Sequence, residues 1–154
     1  MLHMASDLDI ASIEFTVPGA PVAKGRPKFC RRGGFVTAYT PAKTLKAEKV
    51  IADEFKKLWS QSQLPKDKAV TLTLDFRMPI PKSLSKKKQQ ELSMQWHRKK
   101  PDIENLCKLV QDALNGLAWE DDSCVCVIQA TKRYSFEPCT VVRVEYMEKD
   151  LTRW

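Results

Sequence analysis

Long apolar stretches are missing from this sequence: no run free of Asp, Glu, Lys and Arg exceeds the ten residues Gly33–Ala42. A membrane-spanning helix needs roughly 20 apolar residues, so none is expected. Histidine is scarce, with two residues, and no CxxC occurs, so a soft-metal centre of Cys and His would lack ligands. The first residues have neither the basic nor the apolar region of a signal peptide. The five cysteines, Cys30, Cys107, Cys124, Cys126 and Cys139, are odd in number and scattered. They do not read as a disulfide framework; buried thiols in a reduced, cytoplasmic setting are expected. Cys124 and Cys126 lie two apart and would share one face of a strand. Repeats and low-complexity tracts are absent as well.

What is present is a chain of 154 residues with 43% hydrophobic and 29% charged residues, the balance of one globular domain. The net charge of +7 and a pI near 9.2 favour a polyanionic partner, nucleic acid before membrane. Met1–Ser6 resembles a cloning remnant, so residues 1–11 are expected to be a flexible N-terminus. The domain is expected over 12–147, with 148–154 as a tail.

Hydrophobic periodicity sets out the elements. Ile10–Val17 alternates and stops at Pro18-Gly19, a strand and a turn. Phe29–Arg31 and Phe35–Ala38 flank Arg32-Gly33-Gly34 as a small basic hairpin. Thr40 as cap and Pro41 as first helical residue begin a helix reaching about Ser60. Gln61–Lys68 is a polar link. Val70, Leu72, Leu74 and Phe76 alternate with polar residues in the clearest half-buried strand. Ser83–Met94 reads as a polar helix, and His97–Lys100 extends its basic run; His97 reads as a surface or DNA-edge residue rather than a ligand. Ile103, Leu106, Val110, Ala113, Leu114 and Leu117 form the apolar stripe of a helix from Asp102 to Asn115-Gly116. Cys124–Arg133 and Thr140–Met147 are expected to be two antiparallel strands joined by a turn at Phe136–Pro138. The order predicts an α+β fold, a mixed, largely antiparallel sheet with helices packed on it.

Acids gather at element edges: Asp102 and Glu104 open the long helix, and Asp121 and Asp122 precede a strand. Residues two apart inside a helix point to nearly opposite sides. Asp102 at the cap escapes that geometry and can converge with its neighbours. Three such acids suit Mg²⁺, which takes a few carboxylate oxygens and fills its octahedron with water and phosphate. Lys108, one turn after Glu104, can reach the same spot. The structural alternative makes Asp102 a cap, Glu104–Lys108 a surface pair with Asp112 in the same row, and Asp121-Asp122 a loop.

The run Lys100-Pro101-Asp102-Ile103-Glu104-Asn105-Leu106-Cys107-Lys108, then Asp112-Ala113-Leu114-Asn115-Gly116 and Asp121-Asp122, resembles the RusA family of Holliday-junction resolvases. Val17-Pro18-Gly19 and Lys24-Gly25-Arg26-Pro27 are similar to that family's N-terminal stretch. The resemblance implies a homodimeric Mg²⁺-dependent endonuclease, often prophage-encoded, that cuts four-way DNA junctions by paired nicks in recombination and repair. It implies Asp102, Glu104 and Asp122 as metal-binding carboxylates, with Mn²⁺ a possible substitute, and Lys108 as the catalytic lysine. The family usually has Asp where this chain has Glu104. Lys24, Arg26, Lys28, Arg31, Arg32, Lys99, Lys100 and Lys132 are candidates for DNA backbone contacts. Two other readings remain open: a non-catalytic binder of DNA structures, and a nuclease for flaps or RNA.

Overall fold

The computed structural model describes residues 2–6, 9–59 and 64–147. Its main sheet has five strands: β1 (Leu2–Ser6), β2 (Asp9–Pro18), β5 (Ala69–Pro79), β6 (Val125–Ser135) and β7 (Cys139–Met147). Their spatial order is β1-β2-β7-β5-β6, with β5–β6 parallel and the other three pairs antiparallel. Strands β3 (Lys28–Arg32) and β4 (Phe35–Tyr39) form a separate antiparallel hairpin. The helices are α1 (Ala42–Leu58), α2 (Lys86–Leu92) and α3 (Ile103–Leu114). The fold is therefore a single α+β domain with a mixed, mostly antiparallel sheet.

Alternation decides which face is covered. Val70, Leu72, Leu74, Phe76 and Met78 of β5 are buried, as are Val142 and Val144 of β7 and Ile13 and Phe15 of β2. They meet Ile51 and Phe55 of α1 and Leu106, Leu109, Val110 and Leu114 of α3 in one core. The opposite face is polar: Arg77 binds Asp75 at 3.1 Å, and Arg143 binds Glu145 at 3.2 Å. A sheet solvated on one side gives such a pattern, and it let β5 be read from sequence.

Several expectations need correction. Residues 1–11 were expected outside the fold, yet Leu2–Ser6 pairs with β2, and β2 itself begins at Asp9. The tail over 148–154 lies outside the described residues. β6 and β7 run antiparallel but are not neighbours, because β5 lies between them and bonds to both. The short link Phe136–Pro138 thus spans two inter-strand spacings, about 10 Å. Cys124 belongs to a 3-10 turn, Asp122–Cys124, so it shares no strand with Cys126. All five cysteines are free thiols; Cys107 is buried as expected, whereas Cys126 is exposed.

Helix ends moved for local reasons. Pro41, extended at φ −56° and ψ 143°, takes the cap position of α1 itself, so the helix starts one residue later than expected. α2 covers only Lys86–Leu92 because none of its residues is buried, leaving little beyond the Ser85 cap to hold it. Met94, at φ 64°, turns the chain beyond it. In the β3–β4 hairpin Gly33 and Gly34 both have positive φ, as a two-residue loop of this kind demands.

Candidate functional site

Asp102 occupies the cap position of α3, and its backbone carbonyl accepts from Asn105 and Leu106 at 3.1 and 3.2 Å. Its carboxylate makes no capping bond. Cap aspartates ordinarily spend that oxygen on a helix amide, so the structure keeps Asp102 as a cap by position only. Asp102 and Glu104 are both exposed, and among the described residues neither has an ion pair or side-chain hydrogen bond. The expected Glu104–Lys108 pair does not form. Lys108 reaches the other way along the helix, to Asp112 at 3.1 Å, and lies 3.9 Å from Asp122.

Asp122 is held from a second side. The indole Nε1 of Trp119 donates to Asp122 Oδ1 at 3.0 Å, and Trp119 is wholly buried. A buried indole needs an acceptor, and its rigid ring fixes the carboxylate's orientation. Asp121 has a separate task, accepting from Ser123 N at 3.0 Å to cap the 3-10 turn. The Ser123 hydroxyl first, and then its backbone N–H, hold the Asp121 carboxyl below the usual range.

Asp112, expected only as one more member of the Glu104–Lys108 surface row, ties two lysines together instead. Its half-buried carboxylate binds Lys108 on one oxygen and Lys24 on the other, the latter at 2.9 Å. Lys24 also donates to Glu48 of α1 at 2.6 Å. Burial opposes charge on both groups, but the bonds outweigh it: Lys24 is raised and Asp112 lowered from their ordinary values. Lys24, expected at the DNA backbone, is thus a tie between α1 and α3. Its own backbone N–H adds a bond to Asn105 O at 2.9 Å. The signal in the sequence was the spacing of Lys108 and Asp112, four apart on one face.

Lys132 also takes a structural task. Its ammonium donates to the carbonyls of Lys99 and Pro101, both at 2.7 Å, pinning the segment that delivers Asp102. The Lys100–Pro101 peptide in that segment is cis. Arg26, Lys28, Arg31, Arg32, Lys99 and Lys100 are all exposed. His97 is half-buried and tilted against Tyr134, with ring centroids 4.5 Å apart. Burial, helped by the Lys132 charge, lowers its pKa.

The donor chemistry of Asp102, Glu104 and Asp122 fits a hard divalent ion: all are carboxylates, and two are unengaged by protein groups. Among the described residues no three acids, histidines or cysteines gather closely enough to hold an ion by themselves. An ion held by these acids would take its remaining oxygens from phosphate and water. No helix among the described residues is long and apolar enough to cross a membrane.

The uncharacterized protein YqaN of Bacillus subtilis (strain 168) is 36% identical over 147 residues, covering 91% of this chain and 97% of that protein. The family model for endodeoxyribonuclease RusA, a nuclease family in which divalent metal dependence is general, matches residues 18–145 and so spans α3, Trp119, Asp122 and Lys132. The chain belongs to the RusA endodeoxyribonuclease family.

Proposed function

We propose that this nuclease is a Mg²⁺-dependent, homodimeric resolvase of four-way DNA junctions acting in recombination and repair, with Asp102, Glu104, Asp122 and Lys108 as its catalytic residues. The observation that carries the reading is Asp122, held by the Trp119 indole with Lys108 3.9 Å away. A carboxylate fixed by a buried indole, with an ammonium 3.9 Å away, suits phosphodiester hydrolysis better than a purely structural role.

Asp102, Glu104 and Asp122 would hold the ion. Bound there, it supplies Lewis-acid chemistry, activating water and offsetting phosphate charge. The remaining steps belong to the chain itself. Trp119 keeps Asp122 in one orientation, and Lys132 keeps the approach to Asp102 in one path. Lys108 carries positive charge toward the phosphate, where charge builds in the transition state. Asp112 steers Lys108, and Lys24 offsets the negative charge of Asp112. Arg26, Lys28, Arg31, Arg32, Lys99 and Lys100 contact the DNA backbone without reading sequence. One such site nicks one strand, so resolving a junction calls for a two-fold pair of sites.

The test is Mg²⁺-dependent cleavage of a synthetic four-way junction beside flaps, forks, duplexes, hairpins and RNA, with Asp122→Asn as control. Paired symmetrical nicks in the junction alone are expected. Binding without cleavage overturns catalysis, and preference for a flap or RNA overturns the substrate. Light scattering showing a monomer with and without DNA overturns the dimer.

A further inference from the structure

A cavity of about 650 Å³ opens beside Asp102, lined by Trp96, His97, Lys99, Lys100 and Lys132 among others. The segment before it is built onto the sheet. Met94 N donates to Tyr134 O at 2.9 Å, Tyr134 N to Gln95 O at 2.9 Å, and His97 N to Lys132 O at 3.0 Å. Trp96 therefore sits on backbone bridged to Arg133 along the outer edge of β6.

Trp96 is nevertheless 62% exposed. The Arg133 guanidinium lies over it at 5.1 Å from the centroid, and Arg133 Nε is buried without a partner. A flat ring on a rigid backbone, backed by a cation and left open, is a stacking platform rather than part of the core. Around it stand exposed cations, Lys99 and Lys100, suited to phosphate oxygens. Aromatic faces flanked by cations are how proteins hold unpaired nucleotides, since every base offers a π-face.

We propose that this cavity is a base-stacking subsite for one nucleotide beside the phosphate to be cut. Its base lies on Trp96, and its backbone meets Lys99 and Lys100. The subsite rests on the nuclease reading above and adds a dependence on the flanking base, with Trp96 as the residue that sets it. Asp102 lines the same cavity, which puts the stacked nucleotide next to the acids of α3.

The test uses the full chain and four-way junctions carrying one abasic residue, moved stepwise across the positions flanking each cut. Binding is measured in EDTA by gel shift, and cleavage separately in Mg²⁺. One abasic position should weaken binding by native protein about 5- to 150-fold, the range of a single base–aromatic stack. Trp96→Ala should bind the intact junction more weakly by a similar factor and be indifferent to the abasic residue, while Trp96→Phe keeps part of the effect. Native binding that ignores every abasic position overturns the subsite, as does a Trp96→Ala variant as sensitive as native. A Trp96→Ala variant that turns from dimer to monomer makes the ring a protein contact instead and also overturns it. Abasic-sensitive binding with no cleavage of any junction sinks the nuclease reading while leaving the stacking contact standing.

Discussion

The two ends of α3 treat their acids in opposite ways. At the start, Asp102 and Glu104 are exposed, and among the described residues no cation meets them. Two turns beyond Glu104, Asp112 is half-buried between Lys24 and Lys108. Both arrangements occur on one helix of a protein with net charge +7. An acid matched inside the molecule serves the fold, whereas an acid left unmatched in so basic a chain invites a cation from outside. Stability and activity should therefore separate along the helix.

The largest effect is expected at the unmatched end. Asp102→Asn should abolish junction cleavage and leave the thermal midpoint close to native, because no protein contact is lost. Asp122→Asn should abolish cleavage too, with junction binding intact or tighter, since negative charge beside phosphate is removed. Gel shifts run beside cleavage assays decide it: affinity lost in parallel with activity would make these residues part of the scaffold.

Glu104 sharpens the contrast. As a ligand it should tolerate Asp, one methylene shorter and usual in the family, but not Gln, and Mn²⁺ should partly rescue a site of slightly wrong reach. Equal cleavage by native and Glu104→Gln proteins at saturating Mg²⁺ would remove it from the ligand set.

The matched end should respond the other way round. Asp112→Ala leaves two lysines without their shared acceptor, and a loss of about 1–3 kcal/mol in urea unfolding is expected. Cleavage should fall by about tenfold, as when a supporting residue of a metal site is lost. A fully stable, fully inactive Asp112→Ala protein would dissolve the distinction between the two ends.

The smallest effect is in pH. Asp112 is held below its ordinary value of 3.8, so its contribution is present above that value and is lost as pH falls through the lower folded value. Lys24 is raised above 10.5, so its contribution is complete below that value and fades as pH rises through the higher folded one. The stability gap between native and Asp112→Asn proteins should close in acid. A gap unchanged down to about pH 2 would mean that packing, not charge, sets it.

How much of this could be read from the sequence depended on where the information lay. β5 and α3 were legible because burial on one side prints a period of two or 3.6 along the chain. The start of α3 was legible as well, since a cap aspartate sits at a boundary that periodicity defines. The place of β5 between β6 and β7 was not, because strand order depends on pairings far apart in sequence. The bonds of Trp119, Lys24 and Lys132 were hidden for the same reason in two cases: Lys24 meets Glu48, and Lys132 meets carbonyls more than 30 residues back. Trp119 lies only three residues before Asp122. Its burial and the rule that a buried indole seeks an acceptor together identify the partner.

That indole also makes the protein its own optical instrument. Trp119 is enclosed by the core, and its transition dipole lies within one hydrogen bond of Asp122. Charge gained or lost at that carboxylate changes the electric field across a chromophore screened from solvent. Its absorption and emission should therefore shift in wavelength with the ionic state of the centre, without a label and without turnover.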